Sequence, residues 1–102
     1  MTNSQFNKKS KYLVCQGVDR LYHNSKYTVF RMYYYDKTLD RDVSYYDVCL
    51  HNSALIDPQD ALHSIGVFRD WRDLRSFILR EIEPYGCCNK GLRSWAYDLR
   101  NM

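Results

Sequence analysis

Lys26-Tyr27-Thr28-Val29-Phe30-Arg31-Met32-Tyr33-Tyr34-Tyr35, then Asp36-Lys37-Thr38-Leu39-Asp40-Arg41-Asp42, then Val43-Ser44-Tyr45-Tyr46-Asp47-Val48-Cys49-Leu50-His51: this stretch decides how the chain folds. Its outer parts are crowded with aromatic and β-branched residues, which suit a pleated, half-buried surface. The polar middle carries turn formers. The whole therefore reads as one long β-hairpin. Side chains alternate between faces with a period of two. Setting Tyr35 opposite Val43 pairs Phe30 with Val48 and Met32 with Tyr46 on one face. On the other it pairs Tyr33 with Tyr45 and Arg31 with Asp47. Stacked aromatics and an opposite-charge pair then meet, as cross-strand contacts prefer. In this register Thr28, Phe30, Met32, Ser44, Tyr46, Val48 and Leu50 form the core face. Tyr27, Arg31, Tyr33, Tyr35, Tyr45 and Asp47 form the second face, the expected partner-binding surface. A tyrosine has an apolar ring and a polar tip, so it suits a surface that is wet when alone and dry when bound. A purely structural role, capping a small core or lying under a helix, stands beside that reading.

Upstream, Met1 to Ser10 is polar, with Lys8 and Lys9 near its end, and reads as a flexible tail. The functional alternative is a basic arm reaching a phosphate backbone. Tyr12-Leu13-Val14-Cys15 is a short strand. Gly17 to Ser25 is a connection, so this strand pairs antiparallel with the one starting near Lys26. Three strands with an apolar face are enough to be stable against helices.

Downstream the period changes. Asp57 can cap a helix whose first position suits Pro58, and Gly66 is a natural stop, which predicts a short helix over Pro58–Ile65. A stronger helix runs from about Asp70 to Glu83, with Trp71, Leu74, Ile78 and Ile82 in one stripe and Pro84 at its end. A last helix, from about Lys90 to Asn101, puts Leu92, Trp95, Ala96 and Leu99 on one face. Cys87-Cys88 falls in the connector between them. The expected core is Leu13, Phe30, Met32, Tyr46, Val48, Leu62, Ile65, Trp71, Leu74, Ile78, Ile82, Leu92, Trp95 and Leu99. The predicted fold is α+β: a three-stranded antiparallel sheet packed against two or three C-terminal helices, in one domain over residues 11–102.

A length of 102 residues fits one domain with one modest core. The net charge of +3 permits nucleic-acid or acidic-protein partners without demanding them. No apolar run reaches the length of a membrane span, and the N-terminus has no signal-peptide core. A cytoplasmic location is therefore expected, the host cytosol if the chain is phage-encoded. Its 4 cysteines would there be reduced.

Catalytic chemistry lacks its parts. Cys15, Cys49, Cys87 and Cys88, with His23, His51 and His63, supply zinc donors, but no short two-cysteine knuckle organises them. Cys49 and His51 share a strand face and would need Cys87 or Cys88 to fold back on them. The scattered glycines make no P-loop and no dinucleotide fingerprint. No cysteine is marked as activated. The expectation is a protein that is not an enzyme and takes no cofactor and no metal.

Two binding readings follow. In the favoured one, the chain docks on another protein or ribonucleoprotein complex as an inhibitor or adaptor. Tyrosine, tryptophan and arginine dominate interface energies, and the chain holds 10 tyrosines. Compact inhibitors encoded by phages, anti-CRISPR proteins among them, have a similar texture: one domain, no catalytic motif, a surface that blocks a larger machine. In the other reading, the chain binds DNA or RNA. The order strand-strand-strand-helix is similar to the three-stranded DNA-binding domains of some integrases and plant transcription factors, whose sheet enters the major groove. Arg31 between tyrosines also follows the stacking logic of RNA-binding sheets. Arg69, Arg72, Arg80, Arg93 and Arg100 are the candidate contacts to phosphates or to an acidic partner. Arg69 with Asp73, and Arg80 with Glu83, can equally neutralise each other on a solvated helix face.

Overall fold

Four strands and two helices follow one another in this computed structural model, which describes residues 11–51 and 62–100. The strands β1 (Leu13–His23), β2 (Tyr27–Asp36), β3 (Arg41–His51) and β4 (Leu62–Phe68) form one antiparallel sheet in the order β1-β2-β3-β4. The helices α1 (Trp71–Glu81) and α2 (Cys87–Asp98) complete an α+β fold. The tail expected over Met1–Ser10 and the helix start at Asp57–Pro58 lie outside the described residues.

The hairpin forms as its composition predicts, but one residue out of the expected register. Asp36 pairs with Arg41, Tyr35 with Asp42, Arg31 with Tyr46 and Phe30 with Asp47. The turn explains the difference. Pairing Tyr35 with Val43 needs an odd number of turn residues, and the chain uses Lys37 to Asp40. Asp36 is buried at the start of this turn, and its Oδ1 accepts from the Thr38 amide at 2.9 Å, the Thr38 hydroxyl at 2.6 Å and the Leu39 amide at 3.3 Å. Asp40 closes the turn in the left-handed region, at φ 50°, a conformation that aspartate tolerates better than most residues.

A one-residue slip moves a strand's side chains to the other face. Tyr46 and Val48 of β3 do face the helices, as expected, but on that side β2 presents Tyr27, opposite Leu50, and Val29, opposite Val48, rather than Phe30 and Met32. Tyr27, Val29, Tyr46 and Val48, with Phe68, join Leu74, Ile78, Ile82, Leu92, Ala96 and Leu99 in the main core. Ile65, Trp71 and Trp95 pack against it, partly buried. The far side of the sheet carries a second, smaller cluster of Tyr34, Val43, Tyr45 and Val67, with Leu13 and Met32 beside it. Phe30 is only half-buried.

β1 is longer than expected. It runs through the predicted connection and absorbs its irregularity in two register shifts, between Cys15 and Gly17 and between Arg20 and Tyr22. The turn to β2 is then short. Asn24 closes it by accepting from the amides of Lys26 at 2.8 Å and Tyr27 at 2.7 Å.

The helix predicted over Pro58–Ile65 is corrected in its described part: Leu62–Phe68 is a strand. Ile65, Val67 and Phe68 favour a pleated surface, and pairing with β3 satisfies backbone groups that a helix would leave on an open edge. Gly66 is accordingly no helix stop. A Cβ there would meet the Phe68 ring at 2.8 Å and Phe77 at 3.3 Å, so glycine lets β4 lie close under the aromatic pair.

The α1 helix starts on Asp70, whose side chain accepts from the Arg72 amide at 2.9 Å. The α2 helix begins at Cys87, earlier than expected, so Cys87 and Cys88 open the helix rather than connect to it. Gly86, at φ 96°, takes a backbone conformation that L side chains rarely adopt and aims the chain into the helix, where the Lys90 amide donates to its carbonyl at 3.0 Å.

Candidate functional site

The corrected register divides the expected tyrosine face between the two sides of the sheet. Tyr27 is buried in the main core under the helices. Tyr45 is fully buried on the far side, its ring edge-on to Tyr34 at 5.9 Å, with the Arg69 guanidinium 5.7 Å from its centre. Asp47 also lies on the far side, between Phe30 and Val67. Arg31, Tyr33 and Tyr35 stay together on the helix side, further along β2 than the core residues Tyr27 and Val29.

These three side chains are half-buried and held by neighbours. The Arg31 guanidinium stacks 5.3 Å from the Tyr33 ring centre and 5.5 Å from that of Tyr46, and its Nη2 donates to the Ser44 hydroxyl at 3.4 Å. The Tyr33 hydroxyl donates to the Asp19 carboxylate at 2.8 Å, and the Tyr35 hydroxyl donates to Asp40. Both phenols are raised above the usual tyrosine range, first because a carboxylate accepts the hydroxyl proton and then by partial desolvation. They therefore present neutral rings with fixed hydroxyls.

The candidate arginines have different fates. Arg93 turns inward, and its Nη1 reaches the carbonyl oxygens of Leu79 and Ile82 at 2.7 Å and of Ile78 at 3.3 Å. It closes the C-terminal end of α1 and is not offered to a phosphate. Arg72 stacks on Trp71 at 5.5 Å, while Arg69, Arg80 and Arg100 are exposed. Arg75, which the charge pattern did not single out, joins Trp71, Arg72, Ser76 and Leu79 around a cavity of about 330 Å³.

The far side of the sheet holds a pocket that the expected register concealed. Val18, Phe30 and Met32 make its apolar wall, and Asp47, Cys49 and Ser64 its polar one, around about 330 Å³. The Ser64 hydroxyl donates to Asp47 Oδ1 at 2.6 Å. Burial pushes the Asp47 carboxyl up, against the opposing effect of hydrogen bonds from Ser64 and Cys49. Burial, with Asp47 nearby, pushes the Cys49 thiol up to about 12, so it is neutral and a poor nucleophile. Strand parity with a four-residue turn would have revealed this pocket, since Phe30 and Asp47 become direct partners.

The cysteines and histidines disperse. Cys49 faces the pocket, whereas Cys87 and Cys88 begin α2, where the Cys88 thiol lies 2.9 Å from the Ser25 hydroxyl. His51 Nε2 and His23 Nδ1 both bond the Thr28 hydroxyl, at 2.6 and 2.9 Å. Among the described residues no three His, Cys, Asp or Glu side chains gather around a common point suited to a metal ion, and no helix is long and apolar enough to cross a membrane. Comparison with protein-family models, with curated proteins and with solved structures gave no match.

Proposed function

We propose that this chain is a small non-enzymatic protein that docks on a larger protein or complex, as an inhibitor or adaptor, through the Arg31–Tyr33–Tyr35 surface of β2. The observation that carries the proposal is the fixed geometry of that surface. Arg31 is held between two tyrosine rings, and Tyr33 and Tyr35 are each tied to a carboxylate from another segment. Arginine and tyrosine are, with tryptophan, the residues enriched at binding hot spots. Fixing them before contact lowers the entropy cost of association. A phage-encoded inhibitor of a host defence complex, working in the cytoplasm, is the specific form of the proposal, and chain length and texture support it.

The test compares the wild-type chain, immobilised, with its Arg31→Ala/Tyr33→Ala variant in the retention of proteins from host extracts. The reading expects at least one species retained by the wild type and lost by the variant, with the variant's melting temperature within a few degrees. Equal retention by both overturns it. The nucleic-acid alternative draws on the exposed Arg69, Arg72, Arg80 and Arg100. It expects tight binding to labelled mixed-sequence DNA or RNA that weakens steeply between low and high salt.

A further inference from the structure

The pocket on the far side of the sheet combines features that together define a ligand class. It is a cavity of about 330 Å³, at the lower end of the range for small-molecule sites. Its apolar wall of Val18, Phe30 and Met32 comes from β1 and β2. Its carboxylate among the described lining residues, that of Asp47, stands on β3 and is oriented by the Ser64 hydroxyl of β4 at 2.6 Å. No cation among the described residues offsets the desolvation of that carboxylate, whose hydrogen-bonding neighbours are Ser64 and Cys49. An anion would be repelled. A metal ion would find too few hard donors beside one carboxylate and a neutral thiol. A neutral apolar ligand would leave the carboxylate further desolvated and without a counter-charge, which is costly. A ligand carrying a cation on a hydrocarbon body would satisfy both walls at once.

We propose that this pocket binds a small organic ammonium ion, its charge against Asp47 and its aromatic or alkyl body against Val18, Phe30 and Met32. The site is independent of the docking surface, which lies on the other side of the sheet, so the two stand or fall separately. The test is a nuclear magnetic resonance titration of the full chain with phenethylammonium chloride and, separately, with its near-isosteric neutral counterpart 2-phenylethanol. Saturable shifts are expected at the amides of Val18, Phe30, Met32 and Cys49, with an affinity in the millimolar range or better and about tenfold weaker binding of the alcohol. The Asp47→Asn variant, which keeps an oxygen for Ser64, should reduce ammonium binding to the level of the alcohol. Should that variant fail to fold, the two probes on the wild-type chain decide the matter. Equal affinity for the two probes, shifts confined to other parts of the chain, or no saturable shift up to about 20 mM overturns the proposal.

Discussion

Arg93 reaches three carbonyl oxygens in and just after the last turn of α1; that of Ile78 also accepts from the Ile82 amide at 3.3 Å, and those of Leu79 and Ile82 lie among the last carbonyls, beyond the reach of the helix's own amides. A charged donor is well placed at that negative end of the helix dipole. Replacing it by methionine keeps much of the packing and removes the hydrogen bonds. Arg93→Met should lower the unfolding free energy by about 2 kcal/mol in urea denaturation. Asp47 works in the opposite sense. Its carboxyl is raised by burial, so the folded chain holds the proton more tightly than the unfolded chain does. The stability this group contributes is complete below the ordinary aspartate value and is lost as pH rises through the raised one. Asp47→Asn should therefore melt higher than the wild type at neutral pH, and the two curves should converge in acid. A variant less stable than the wild type at pH 7 would contradict this assignment.

Among the elements, the two helices were legible because their apolar residues recur at spacings of three and four, although the second begins at Cys87, earlier than Lys90. The hairpin was legible in kind but not in register. Composition marks strands, whereas register depends on the number of turn residues, and Asp36-Lys37-Thr38-Leu39-Asp40-Arg41-Asp42 offers several places to turn. The side chain of Asp36, folded back on Thr38 and Leu39, decides among them. That one choice moved Tyr27 into the core, separated Tyr45 and Asp47 from Arg31, and opened the pocket beside Phe30. The strand β4 was hidden for another reason. Short apolar runs do not distinguish helix from strand by periodicity, and a glycine can mark a helix end or a close approach. Gly66 does the second. Gly66→Val should cost about 1–3 kcal/mol through its clash with the rings of Phe68 and Phe77.

The whole molecule is a single sheet with unlike sides. Two helices cover one side over Tyr27, Val29, Tyr46 and Val48, and a second small cluster with an acidic pocket occupies the other. The arrangement leaves the Arg31–Tyr33–Tyr35 surface outside the main core, where its contacts to Asp19, Ser44 and Asp40 fix side chains without burying them fully. This contrast between a sealed core and a held but accessible patch is the reason to read the protein as a binder. It can be tested with a photoreactive benzoylphenylalanine placed singly at Tyr33, Tyr35, Tyr85 or Tyr97. The last two are the more exposed, at 79% and 56%, so exposure alone would favour them. Irradiation in host extract should give a discrete adduct from positions 33 and 35 and none of the same mass from 85 or 97. Adducts from 85 or 97 alone, or none from any position, would contradict the docking surface.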